Sequence, residues 1–416
     1  MAAEPQQSSV LPFEEARGLV ESYARNIPAP GASESVGLVD SVGRVLAEAV
    51  VADRDFPPFP RATRDGYAVR AAELATVPAK LKIIGEIKAG ATLASASGEG
   101  NPTLGSGEAA AIMTGAPAPV GADAVVMVEF TSREGSHVAV QRSVRVGENI
   151  VPVGSEARRG DVLLRPGHRV DYAGVALAAS VGKEHLQVWR KPRVAILATG
   201  DEIVPINATP GPAQIRNSNS YSLAAQVKQH GAEAIMLQVA PDEPVRLREL
   251  IERGLEADLL LLAGGVSMGK YDLVEQVLGE LRAEFFFTGA LIQPGRPVVF
   301  GRVRDKYFFG LPGNPVSTMV TFELFVRPML DALAGAAVAP LIFLKARLKV
   351  EVKTKTGLTR FLPAKLSGEF DRAEVELARW QGSGDIAALA EANCYLVLPP
   401  DRDRIAAGEM VSVMMR

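Results

Sequence analysis

One cysteine, Cys394, four histidines and two tryptophans among 416 residues leave several familiar chemistries without their side chains. A lone cysteine excludes an intrachain disulfide and any CxxC metal site, and it suits a reducing compartment. Its expected place is that of a small buried residue. No apolar run reaches the ~18 residues of a membrane span. The opening "MAAEPQQSSV" lacks the basic and apolar regions of a secretory signal, so the expected location is cytoplasmic. There is no Lys/Arg block and the formal charge is −3, which argues against nucleic acid as a partner.

The residues that are present follow three different grammars. At 47% apolar and 22% charged, the composition is that of a globular protein, and the length predicts two to four domains. "SSVLPFEEARGLVESYARN" reads as a helix, with Ser before Pro12, two glutamates in the first turn, and Phe13, Ala16, Leu19, Val20 and Tyr23 at helical spacing. Residues 56–147 carry short alternating runs such as "LKIIGEI" and "HVAVQRSV" and predict an inserted β domain. "YAGVALAASVGK" then returns to a helical pattern that would pack beside the first helix, giving a discontinuous first domain over 8–55 and 148–189.

From residue 190 to 336, apolar runs ending in glycine or polar residues alternate with amphipathic stretches. "RVAILATG", "EAIMLQVA", "DLLLLAGG" and "YFFGLPG" are expected as strands of a doubly wound parallel α/β sheet. Residues 339–416 revert to short strands and predict a terminal β-barrel. The fold class expected is multidomain α/β.

Ligands of such sheets sit beyond the carboxyl ends of the strands. Three loops fall there: "ATGDE" (198–202), "AGGVSMGKYD" (263–272) and "GLPGNPVST" (310–318), each expected to join a strand to a helix. Their glycines, Gly200, Gly264, Gly265, Gly269 and Gly313, would let backbone N–H groups approach an anion. In the third loop Asn314 is suited to cap, Pro315 to open a helix, and Ser317 to offer a hydroxyl. Gly265–Gly269 also matches the G-x-S-x-G nucleophile elbow. That motif needs a histidine after its serine, and His137, His168, His185 and His230 all precede Ser267. The cradle reading therefore displaces the nucleophile. Asp201, Glu202, Asp242 and Asp272 are expected at the same strand edge, as helix caps or as oxygen ligands for a hard cation such as Mg2+.

Taken in order, "PRATRDGYAV", "IMTGAPAPVGADAVVMVE", "ATGDEIV", "IRNSNSYSL", "GGVSMGKYD", "QPGRPVVFG" and "LPGNPVS" resemble the MoeA/gephyrin E-domain family, the molybdopterin molybdenumtransferases. The resemblance runs from the first helix to the last strand. It implies insertion of molybdenum from molybdate into adenylylated molybdopterin, with release of AMP, by an elongated homodimer using Mg2+. It implies an upstream adenylyltransferase and acceptor molybdoenzymes as further partners. By motif, Asp65, Gly66, Tyr67 and Thr114 come from the inserted domain, and Glu202, Asp242, Ser267 and Asp272 line the α/β cleft. Ser218, Asn219 and Pro312 join the substrate loops. Pro294, Arg296 and Pro297 match the family's PGKP loop around Gly295, and with Lys270, Arg360 and Ser383 they form the implied oxyanion site.

The chain departs from the pattern at identifiable places. Ala62 and Arg64 replace the family's serine and methionine before Asp65, and Ser155 stands within its G-E-D motif. Arg296 replaces a lysine. Leu358 and Pro363 replace the two arginines of G-R-x-x-F-x-R, with Arg360 between them. Two further readings stay open on these departures: a scaffold that binds molybdopterin without catalysis, and a tungstate-preferring paralogue. A nucleotide pyrophosphate hydrolase would lack the flanking domains, and a Rossmann dehydrogenase would need a G-x-G-x-x-G that is absent.

Overall fold

The computed structural model describes residues 9–90, 103–265 and 273–416. The chain divides into two compact units: Met1–Ala47 with Pro166–Asp171 and His185–Arg416, and Glu48–Arg165 with Tyr172–Glu184.

The first unit begins with β1 (Val10–Leu11), which pairs in parallel with Gly289–Ala290, and α1 (Phe13–Arg25). Ser9 does not cap this helix. The N-cap is Pro12, without a side-chain bond, and the Ser9 hydroxyl donates to the Phe286 carbonyl at 3.4 Å. The expected apolar stripe is real: Phe13, Ala16 and Val20 are buried.

The second unit is built on a six-stranded sheet. Its strands are β2 (Gly66–Val69), β3 (Ala79–Ile87), β4 (Glu108–Ile112), β5 (Ala124–Met127), β6 (Thr131–Glu134) and β7 (His137–Val140), in the order β5-β2-β4-β3-β7-β6. Only β3 and β4 run parallel, through a register shift between Ile83 and Gly85. Gly66 is required where β2 passes β5, since a Cβ there would lie 1.9 Å from the Val126 carbonyl oxygen. The helical pattern at the end of this unit is α2 (Tyr172–Ser180). The apolar face of α1 goes onto the α/β layer described next.

That layer is a six-stranded sheet in the first unit. It contains β8 (Arg193–Ala198), β9 (Glu233–Met236), β10 (Leu259–Ala263), β11 (Glu284–Phe287), β12 (Val299–Val303) and β13 (Lys306–Leu311), ordered β9-β8-β10-β13-β12-β11. The four strands read from the sequence, β8, β9, β10 and β13, are parallel as expected. The sheet as a whole is mixed, because β12 and β11 add an antiparallel edge. β12 passes to β13 by a short return at Arg304–Asp305, which an antiparallel pair allows and a parallel one does not. Helices α3 (Ser218–Gln229), α4 (Pro244–Gly254), α5 (Leu273–Glu280), α6 (Pro315–Thr321) and α7 (Arg327–Leu333) cover it, with a π-helical turn at Phe322–Val326.

Strand alternation sends Leu259 and Leu261 into the core beneath α1, α3, α6 and α7, and Leu260 and Leu262 into the core beneath α4 and α5. This two-sided burial explains why β10 is a continuous leucine run.

The tail forms a closed barrel of β14 (Phe343–Leu348), β15 (Thr359–Ser367), β16 (Glu374–Leu377), β17 (Cys394–Leu398) and β18 (Met410–Met415), with α8 (Ile386–Glu391) preceding β17. Closure comes from the β15–β17 pairing. Cys394 is fully buried in it, and burial pushes its thiol up to about 11, as befits an inert core residue. No helix among the described residues is long and apolar enough to cross a membrane.

Leu261 is fully buried at the centre of the larger core. Leu261→Ala is expected to lower unfolding free energy by about 2–5 kcal/mol, read from denaturant titration, through lost burial and the cavity left behind.

Candidate functional site

The carboxyl ends of β8, β10 and β13 bring three glycine-bearing loops together. Thr199 donates its backbone N–H to Ala263 O at 3.2 Å, and Gly264 donates to Leu311 O at 3.1 Å. Cβ atoms built at Gly264 and Gly265 would meet Thr199 O at 3.0 Å and Thr199 Oγ1 at 2.6 Å. Both glycines also have positive φ, 93° and 64°. Side chains are excluded at this junction on two grounds at once. Gly313 lies against Gly264, its Cβ position 3.6 Å from the Gly264 Cα.

The first loop is not the direct strand-to-helix turn expected. Residues 199–217 make an excursion containing the pair Ile203–Val204 and Ile215–Arg216 before α3 begins. The "RNSNS" stretch then performs two tasks. Asn217 caps α3, its Oδ1 accepting from the Ser220 N–H at 3.1 Å, and Asn219 Nδ2 donates to Gly313 O at 2.7 Å. Thr199 Oγ1, Asn219 Oδ1 and Ser220 Oγ are buried with no hydrogen-bond partner among the described residues. Three such orphans lie around one loop cluster, where most buried polar atoms would be paired.

Asp201, Glu202 and Asp242 converge at this edge. Gly200, at φ 137°, allows the Glu202 carboxylate to fold over it: a Cβ there would sit 2.5 Å from Glu202 Oε2. Asp242 donates its backbone N–H to Asp201 Oδ1 at 3.1 Å. Desolvation first, and the charges of Asp201 and Glu202 next, raise the Asp242 carboxyl above the ordinary aspartate range. No group of three or more His, Cys, Asp or Glu side chains among the described residues is arranged to hold a metal ion. Ser267, Gly269, Lys270 and Asp272 lie outside the described residues.

A second feature belongs to the same unit. A cleft of about 750 Å3 is lined by Pro294, Arg296, Pro297, Arg360 and Ser383, all assigned to the oxyanion site by the resemblance. The backbone builds it: Ile292 and Gln293 pair in parallel with Thr359 and Arg360, and Val316 N donates to Ser383 O at 3.0 Å. Gly295 is packed against α6, where a Cβ would lie 2.4 Å from Thr321 Cγ2. Arg360 is only 5% exposed, yet it makes no ion pair within 4 Å among the described residues. Its Nε donates to Gln293 Oε1 at 2.7 Å and its Nη1 to Leu358 O at 3.0 Å, while burial lowers its pKa.

Sequence reading missed Lys355, Gln293 and Trp380 in this cleft. The Trp380 indole Nε1 is buried without a partner among the described residues. The basic run "KVEVKTKTGLTR" held the signal for Lys355; nothing local marks the other two. Asn314 does not cap α6 as expected, although Pro315 does open the helix. Its side chain contributes to the cleft instead, together with Ser317. Thr318 Oγ1 takes over the turn by donating to the Pro312 and Asn314 carbonyls.

In the second unit, Asp65 accepts from the Thr114 backbone N–H at 2.6 Å and from its hydroxyl at 2.8 Å. The backbone bond first, and the hydroxyl second, hold the carboxyl below the ordinary range. Tyr67, expected to touch substrate, is 7% exposed and packs within this unit's apolar core.

Residues 11–182 match the MoeA N-terminal region (domain I and II), 195–332 a probable molybdopterin binding domain, and 345–415 the MoeA C-terminal region (domain IV). A molybdopterin molybdenumtransferase of Staphylococcus epidermidis is 32% identical over 386 residues, 92% of this chain and 90% of that one. This chain belongs to the MoeA family. A MoeA relative from a Nostoc species, also named molybdopterin molybdenumtransferase, is 35% identical over 92% of this chain and 88% of its own. The molybdopterin biosynthesis MoeA protein of Pyrococcus horikoshii superposes with a TM-score of 0.77 at 31% identity, covering 98% of this chain and 100% of that one. Membership places this MoeA chain among the transferases of molybdenum cofactor biosynthesis.

Asp242 supplies a test of the carboxylate edge. Because its folded pKa is raised, ionisation weakens the fold, so the cost is absent at low pH and grows as pH rises through the folded value. Asp242→Asn is therefore expected to melt higher than the parent at pH 7 without divalent ions. The gap should close near about pH 3, where the parent carboxyl is also neutral. Equal melting temperatures at both pH values would show that burial and the neighbouring charges do not raise this carboxyl.

Proposed function

We propose that this MoeA protein transfers molybdenum from molybdate to adenylylated molybdopterin with release of AMP. The observation that carries the reading is the cleft in which Arg360 is buried without an acidic partner, beside Arg296 and Lys355, with no carboxylate in its lining. A buried guanidinium lacking a counter-charge is costly, and an oxyanion supplies the missing charge.

The loop cluster takes the other substrate. Gly200, Gly264, Gly265 and Gly313 leave backbone open to phosphate, and Asn219, Ser220 and Thr199 offer unanswered polar atoms for the pterin's donors and acceptors. Ser218, Pro312 and the residues outside the described regions, Ser267, Gly269, Lys270 and Asp272, complete the proposed set. Cleavage of the pyrophosphate link passes an oxygen of the oxyanion or of water to phosphorus and releases AMP, leaving the dithiolene to receive molybdenum.

Asp201, Glu202 and Asp242 are not arranged as a three-ligand metal cage, but one or two of them together with substrate phosphates would suit Mg2+. Burial first, and the charges of Asp201 and Glu202 second, raise the Asp242 carboxyl there. When bound, the ion supplies charge neutralisation to the phosphates. Asp65, its carboxyl held low by Thr114, is proposed as a functional group of the second unit, and the chain is proposed to be a homodimer, which mass in solution reads directly.

The deciding measurement is AMP release from adenylylated molybdopterin with Mg2+, titrated with molybdate and, in parallel, tungstate. Saturable, oxyanion-dependent release is expected, and Arg360→Gln should raise the half-saturating molybdate about tenfold or more while pterin binding stays near parental. Pterin binding with no oxyanion-dependent release would establish the scaffold instead. Release driven by tungstate but not molybdate would assign the oxyanion differently.

A further inference from the structure

A separate cavity of about 820 Å3 lies in the first unit, against the C-terminal half of α3, and shares no lining residue with the Arg360 cleft. Its size is that of a small-molecule site. Met319, Leu389 and Met414 give it adaptable apolar walls. The π-helical turn Phe322–Val326 places Glu323 in the lining, and such turns interrupt α-helices most often at functional positions.

The polar groups inside are unevenly satisfied. Gln226 spends both N–H bonds, on Glu323 Oε1 at 2.7 Å and Met319 O at 3.1 Å, so its amide orientation is fixed. Its Oε1 is buried with no partner among the described residues. Turning the amide would only set that oxygen against a carboxylate. His230 Nε2 lies 3.5 Å from Glu323 Oε2, and the bonds from His230 and Gln226 outweigh burial to keep Glu323 ionised. Arg327 and Arg416 also line the cavity, and neither forms an ion pair within 4 Å among the described residues. The site therefore offers one unanswered acceptor, apolar walls and two cations without an ion pair within 4 Å among the described residues. Arg416 gives one N–H to the Leu389 carbonyl, and the charge of Arg327 also acts on Glu323.

We infer that this cavity is a second ligand site for a small aromatic anion bearing an N–H donor. The donor answers Gln226 Oε1, the rings lie on Met319, Leu389 and Met414, and the anionic group answers Arg327 and Arg416. The inference is independent of the transfer reaction and of the substrates proposed above.

The probe is 1-anilinonaphthalene-8-sulfonate, which combines aromatic rings, an anilino N–H and a sulfonate. It is titrated by fluorescence into the full chain. The expected result is one saturable site per chain. Ala225→Trp, an exposed substitution on α3 at the cavity rim, should abolish the signal, and Arg327→Gln should weaken binding about tenfold. Arg296→Gln, in the other cleft, should leave the titration unchanged. Thermal melting of each variant separates lost binding from lost fold. Titrations identical in all four proteins, loss of the site on Arg296→Gln, or enhancement that never saturates would each overturn the inference.

Discussion

A guanidinium held out of water with no carboxylate to answer it is the constraint around which this fold is arranged. Arg360 stays in place because the strand that carries it pairs with Ile292–Gln293, and because Gln293 Oε1 and Leu358 O occupy two of its donor groups. Those neutral acceptors orient the side chain without cancelling its charge. Gly295 then lets the 293–297 turn press against α6, which in turn fixes Asn314, Ser317 and Ser383 around the same space. The cleft is thus a product of packing that comes from three parts of the chain.

The loop cluster depends on a different economy of space. Parallel β8, β10 and β13 end side by side, so Thr199, Gly264 and Gly313 must share a volume in which side chains do not fit. The same crowding draws Asp201, Glu202 and Asp242 together at the rim. Burial first, and the neighbouring carboxylates second, raise the Asp242 carboxyl at this rim.

What the sequence made legible was whatever a local period or a turn residue encodes. Buried leucine runs gave the four parallel strands, and glycines at strand ends gave the loop cluster. The antiparallel edge, β11 and β12, was not legible, since "EFFF" and "VFGRV" carry no sign of direction. Capping was misjudged at Ser9 and Asn314 because a suitable side chain near a helix start also has tertiary uses: one reaches Phe286 O and the other faces the cleft. Tyr67 illustrates the same limit, since a motif position does not reveal burial. Gln293 and Trp380 were invisible because their roles arise only when distant strands meet.

The displaced arginine shows how such a site tolerates change. The resemblance places arginine at position 358, where this chain has leucine, and Arg360 stands two residues further along. Leu358, in the bend before β15, and Arg360, on the strand, both line the cleft, and the Leu358 carbonyl accepts from the Arg360 guanidinium. One residue further on, the side chain faces the larger apolar core instead: Phe361 is fully buried there against Phe13. Lys355, in the same lining, adds a cation on a flexible stem. Positive charge in the cleft thus comes from Arg296, Lys355 and Arg360, with leucine at the position where the resemblance places an arginine.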